Sequence, residues 1–186
     1  MILAVILVIA AAAALLWVYV DRRRQSVRLK TRFGAEYGRT VRQLGNQGRA
    51  EAELRKREAR VAEFRIRSLT AEEATRFSQA WLRLQGRFVD NPKGAVAEAD
   101  RLVTELMTAR GYPMSDFERR ASDISVDHPA VVDAYRAAQA IAVKDARDAA
   151  NTEELRTAIV HYRALFADLL ETPAAQVADS PRVGVQ

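Results

Sequence analysis

The chain has no cysteine, two histidines and only four lysines in 186 residues, and no charged side chain in its first twenty. Without cysteine there are no disulfides, no thiolate metal sites and no cysteine nucleophile, which fits a reducing compartment. With two histidines, imidazole chemistry is limited to His128 and His161. Neither has a carboxylate or a second histidine three or four residues away, the spacing that places two ligands on one helix face. Glu154 and Asp168 lie seven residues on either side of His161. Glycine-rich phosphate loops and a G-x-S-x-G elbow are missing. Asp123, Asp127 and Asp133 lack the glycine and distal glutamate of a calcium loop. Ser115, Ser122, Ser125 and Thr152 stand where helices begin or end, and capping is the ordinary use of such residues there. No pattern calls for a cofactor or a metal, and no catalytic residue is assigned. Beyond the first twenty residues there is also no strand alternation and no hairpin turn.

What remains is an all-α chain with an uneven distribution of charge. Residues 1–20 are Ile, Leu, Val, Ala and a few other apolar side chains; as a helix they are about 30 Å long, the thickness of a bilayer's hydrocarbon core. Trp17 and Tyr19 sit towards one end, where amphipathic rings favour the headgroup level. Asp21-Arg22-Arg23-Arg24 follows as a charged stop. A cleaved signal peptide would have a basic start, a shorter apolar core and small residues at its end. Here the start is uncharged, and bulky Trp17-Val18-Tyr19-Val20 precedes the charges. These features predict an uncleaved single-pass anchor in the cell membrane. Basic residues close to a span set its direction, so the N-terminus is expected outside and the rest in the cytoplasm. The alternative is a secreted or extracytoplasmic domain.

Residues 21–67 carry 15 basic and 6 acidic side chains, and residues 68–186 carry 14 and 18. The positive charge therefore adjoins the apolar run. Arg22, Arg23, Arg24, Arg28, Lys30 and Arg32 are the candidate lipid-contacting residues, each worth about 1 kcal/mol near an anionic surface. A second reading makes this stretch a solvated stalk whose arginines only enforce topology. A third makes it a nucleic-acid binder, with Phe33, Tyr37 and Phe64 as stacking groups. Helix is expected through Leu44, weakened by Gly34 and Gly38, then a turn at Gly45-Asn46-Gln47-Gly48 and a polar helix from Arg49 to Phe64. On that helix Glu51–Arg55 and Glu53–Arg57 have the spacing of favourable pairs.

A five-helix bundle is expected over residues 68–171. Thr70 with Glu73 is a capping-box signature, and Phe77, Trp81, Leu84 and Phe88 then recur on one face. Asn91 and Pro92 start a second helix, lined by Val96, Ala99, Val103 and Leu106, which Gly111 ends. Ser115 with Glu118 is read as opening a third, and Asp127 or His128 as capping a fourth that carries Tyr135, Ala138 and Ala142. Asn151 with Glu154 opens the last, whose stripe is Leu155, Ile159, Tyr162, Phe166 and Leu169. Residues 172–186 lack core formers and are read as a disordered tail.

Four segments stand out as a set: Arg32-Phe33-Gly34-Ala35-Glu36-Tyr37, Arg87-Phe88-Val89-Asp90-Asn91-Pro92, Ala109-Arg110-Gly111-Tyr112-Pro113 and Val126-Asp127-His128-Pro129 with Tyr135-Arg136. In them the chain resembles an uncharacterised family of single-pass bacterial proteins common in high-GC genomes, described as hypothetical or secreted. The resemblance spans roughly residues 32–170 and implies a membrane-anchored helical protein. No activity is attached to that family, so it contributes no functional residue.

The expected function is a membrane-tethered helical interaction or scaffold module: the anchor fixes place, the basic stalk meets anionic lipid, and the bundle docks a protein partner. The rival from another class is an enzyme or metal-dependent ligand binder using His128 and His161, which would put both rings in one cleft. A membrane-edge nucleic-acid binder is the third.

Overall fold

The computed structural model describes residues 1–171, except for the side chains of residues 2–6, 8, 9 and 11. Among the described residues there are eight α-helices and no strand, in two compact units, Met1–Arg55 and the chain from Lys56 onward. The disordered tail read over residues 172–186 lies outside the described residues.

In the first unit, α1 (Ile2–Phe33) is followed by α2 (Ala35–Leu44) and the start of α3 (Gln47–Ala62). Helix is favoured by alanine, leucine and arginine, which lose little side-chain freedom in it. Of the two weak points, the chain breaks at Gly34, whose φ of +50° is a left-handed value that a Cβ would strain, while Gly38 stays inside α2. Gly45 ends α2 with φ +63°. Asn46 Oδ1 then accepts the Arg49 N–H at 3.0 Å. Because Asn46 can cap directly after the left-handed glycine, the expected four-residue turn shortens and α3 begins two residues early. Leu29, Phe33, Tyr37, Ala50 and Leu54 are buried.

Among the described residues no helix is long and apolar enough to cross a membrane. The anchor read over residues 1–20 lies partly outside that set, because eight of its side chains are not described. The backbone of that stretch is helical and continuous with the basic segment through Phe33.

The second unit takes in the end of α3 and the five helices α4 (Ala71–Arg87), α5 (Pro92–Arg110), α6 (Phe117–Asp127), α7 (Val132–Asp145) and α8 (Thr152–Glu171). The Thr70–Glu73 capping box is complete, and Asn91 caps α5 with Pro92 at its first turn. At the head of α8 the Asn151 N–H donates to Glu154 Oε2 and the Glu154 N–H to Asn151 Oδ1, both at 2.9 Å. Two caps differ from expectation. Asp116, one residue past Ser115, accepts the Arg119 N–H at the start of α6; its carboxylate is the stronger acceptor beside a helix's positive end. Asp127 ends α6 and His128 is its C-cap, while α7 begins after Val131 with no side-chain cap. The side chains of Asp127 and His128 have other partners, described below.

The core lies between α8 and the helices α5 and α7, with α4 against α5. Leu155, Ile159, Tyr162, Leu165, Phe166 and Leu169 of α8 are all buried, and the Phe166 ring stacks on Trp81 at 4.7 Å. Each large apolar side chain buried this way contributes about 1.5–3 kcal/mol. Phe88 and Ala142 are only partly buried at the margin. Ahead of α4, the extended segment around Arg65 to Arg67 crosses the end of α5: the Arg67 N–H donates to Arg110 O at 2.9 Å. A Cβ at Gly111 would lie 2.4 Å from Arg65 O. Gly111 therefore ends α5 with φ +95° and also admits a neighbouring backbone.

Candidate functional site

Each unit has a concentration of polar groups that ties several helices together. In the first unit it starts from the helix hairpin that follows the apolar run. Ser26 Oγ, Tyr37 OH and Gln47 Nε2 all donate to Glu51 Oε1, at 2.6, 2.8 and 2.9 Å. One carboxylate thus ties α1, α2 and α3 together. Burial works against its charge, but the hydrogen bonds from Ser26, Gln47 and Tyr37, helped by Arg55, hold its pKa below the ordinary value. The Glu51–Arg55 pairing read from spacing is present as this electrostatic help, while the hydrogen bonds go elsewhere. Burial and the Glu51 carboxylate together push the Tyr37 phenol up to about 12.

The six basic residues assigned to lipid contact fall into two groups around this hairpin. Arg22, Arg23 and Arg24 are exposed on α1 before Ser26, and among the described residues no hydrogen bond or ion pair engages them. Arg28 and Arg32 are engaged by the protein itself. Lys30 extends over the Tyr37 ring, its Nζ 5.5 Å from the ring centre, in a cation–π contact. The structure therefore leaves three of the six unoccupied for an external anion. Sequence spacing alone could not separate them, because the hairpin partners come from α2 and α3.

In the second unit the ends of α5, α6 and α8 come together around Arg110, which is fully buried. Arg110 Nη1 donates to Leu169 O at 2.6 Å in the last turn of α8. Tyr112 OH, just past α5, donates to Asp127 Oδ2 at 3.0 Å in the last turn of α6. The buried His128 ring bonds through Nδ1 to Asp168 Oδ2 and meets Tyr112 edge-on at 6.3 Å. Three helix C-termini, each with a partial negative charge, and two carboxylates surround the guanidinium. Burial draws the Arg110 pKa down, opposed by Tyr112, Asp127 and Asp168. Burial first, then the Asp127 charge, pushes the Tyr112 phenol far above its usual value. The network is a tie between helix ends.

Its chemical reach is small. Among the described residues His128 Nε2 is buried without a hydrogen-bond partner. Asp168, seven residues from His161 in sequence, bonds to His128 instead. His161 is half-buried on α8, and no polar contact joins the two histidines. Asp123 pairs with Arg60 and Asp127 with Tyr112, so two of the three aspartates noted in the sequence are separately engaged. No group of residues suited to a metal occurs among the described residues. An open hollow of about 410 Å³ lies instead between α4 and α5, lined by Arg76, Phe77, Ala80, Leu102, Glu105 and Thr108, with no histidine or nucleophile arranged for chemistry. Arg110, Tyr112 and Asp168 were not singled out by sequence as a site. For Arg110 and Tyr112 the signal was the short turn motif Arg110-Gly111-Tyr112, and for Asp168 it was the spacing from His161, which is not its partner.

No family model, curated protein or solved structure matches the chain. The two polar concentrations therefore stand on their own geometry.

Proposed function

We propose that the protein is a membrane-tethered helical interaction module, anchored through residues 1–20 with the remainder on the cytoplasmic side. In this reading the basic segment that follows the anchor meets anionic headgroups, and the second unit docks a protein partner. The observation that carries the reading is the exposure of α1: Leu15 is 72 %, Trp17 71 % and Tyr19 62 % exposed, and every residue from Ala12 to Val20 is exposed. Nine consecutive helical residues cover the full circumference more than twice, so the helix has no polar face to give to water. A hydrocarbon environment satisfies such a surface, and a helix satisfies its own backbone there. Arg22, Arg23 and Arg24 end it on the side that the positive-inside tendency assigns to the cytoplasm.

The test is flotation of the full chain with vesicles after an alkaline wash, beside a chain lacking residues 1–20. The full chain is expected to float with lipid and the shortened chain to remain below as a folded helical protein. A full chain that stays in the aqueous fraction would overturn the anchor. Reporters active only inside or only outside the cell, fused after Gln186, decide direction independently.

A further inference from the structure

We infer that Arg22, Arg23 and Arg24 form a collar around an upright helix that binds several separate singly charged phospholipid headgroups, in place of a pocket for one multiply phosphorylated headgroup. The inference rests on the anchor proposed above and specifies the ligand of its basic end.

Successive residues of an α-helix are turned by about 100° and raised by about 1.5 Å. Three consecutive arginines therefore point about 200° around the axis within about 3 Å of height. They cannot converge on one phosphate cluster. Arg28 and Arg32 fall on the rest of the circumference lower down and Lys30 falls below Arg23, but the protein already engages the two arginines, and Lys30 covers Tyr37. The collar also lies ahead of Ser26, which bonds α1 to α3, and among the described residues no hydrogen-bonded partner holds or screens it.

The same turn of helix argues against a segment lying flat on the surface. A flat helix puts bases on one face and apolar residues on the other. Here the apolar residues through Val20 go all the way round, and the bases from Arg22 cover more than half of the circle with Arg22, Arg23 and Arg24 alone and the rest with Arg28 and Arg32. That arrangement suits a helix crossing the headgroup layer, with Trp17 and Tyr19 one to two turns inside it. Each guanidinium presents a planar fork of donors to a phosphodiester, and its long stem lets it follow a mobile lipid. Recognition is then by charge density around the helix, without a preferred headgroup shape.

The test uses the full chain in vesicles of phosphatidylcholine, of phosphatidylcholine with phosphatidylglycerol, and of phosphatidylcholine with a phosphoinositide at matched total charge. Energy transfer from Trp17 to a headgroup-labelled lipid reads the local enrichment of each lipid, with W17F giving the contribution of Trp81. Brominated acyl chains report separately whether Trp17 is in the bilayer. The collar predicts enrichment of phosphatidylglycerol over phosphatidylcholine, reduced by up to about fivefold by each of R22Q, R23Q and R24Q and to a similar extent by all three. At matched charge the phosphoinositide should show no advantage.

Loss confined to one substitution, or a clear phosphoinositide preference, would overturn the collar in favour of a convergent site. Quenching of Trp17 by bromolipid without any anionic enrichment would sink the collar and leave the anchor standing. An unquenched Trp17 would remove both.

Discussion

The apolar stretches of α1 and α8 have similar residue types and opposite surroundings. Leu15, Leu16, Trp17 and Tyr19 are exposed on every side, whereas Leu155, Ile159, Tyr162, Phe166 and Leu169 are buried among α5, α7 and α4. The difference lies in what separates the apolar residues. On α8 they recur every three or four positions with exposed Arg156, Thr157 and Arg163 between them, so one face enters a core and the other meets water. On α1 nothing polar interrupts the run, and residues 12–20 stay exposed on every side. Composition alone makes the two look alike; periodicity separates a helix with one buried face from one exposed all round, which is the surface the proposed anchor would give to lipid.

The largest expected effect sharpens that contrast. Phe166→Ala removes the ring stacked on Trp81 and should lower folding stability by about 3–5 kcal/mol, read from the urea midpoint of Trp81 fluorescence, with little change in vesicle flotation. Leu16→Asp should do the reverse, costing about 2–3 kcal/mol of membrane partitioning while leaving the urea midpoint of the second unit in place. If Leu16→Asp unfolds the bundle, or Phe166→Ala releases the chain from vesicles, the two surfaces do not have the separate roles argued here.

Sequence reached the second unit further than the first. Five helices, the caps at Thr70, Asn91 and Asn151 and nearly all of the apolar stripe were legible, because capping and period are local signals within one turn or two of helix. What was missed depends on distant partners. Asp116 displaced Ser115 as a cap through the better acceptor. Asp127 and His128 read locally as helix starters, but Tyr112 and Asp168, 15 and 40 residues away in sequence, claim their side chains. The division of the six lipid candidates is likewise a tertiary effect, set by what the hairpin bonded through Glu51 brings near α1. Arg110 shows the limit most clearly. A basic residue in the last turn of a helix is expected at the surface, yet this one is fully buried because the ends of two other helices supply its partners.

Backbone effects come next in size and also distinguish local from distant causes. Gly111→Ala would place a Cβ 2.4 Å from Arg65 O at a left-handed φ, so it should destabilise the second unit by about 1–3 kcal/mol, more than a C-cap glycine answering to its own helix alone. Thr70→Ala removes the side chain that accepts the Glu73 N–H and should cost about 1 kcal/mol. Both are read as shifts in urea midpoint.

The smallest expected effect is a pH slope, and it again sets one unit against the other. Hydrogen bonds from Arg67 and then from the Thr70 N–H hold the Glu73 carboxyl at about 2, against an ordinary 4.5. A carboxyl that is more acidic in the folded chain adds stability above its unfolded value and loses it as the proton returns. That contribution should be constant above pH 4.5 and decline between there and about 2. Glu73→Gln should start from a lower plateau and show a shallower decline over the same interval when the second unit is followed through Trp81. Glu51 is also held below its ordinary value, so the first unit has an acid slope of its own, carried by Ser26, Tyr37 and Gln47. Glu51→Gln should flatten that slope when helix loss is followed in the first unit and leave the Trp81 transition unchanged. A substitution at either glutamate that altered both transitions equally would break the comparison, since acid would then be acting on one cooperative body and not on two.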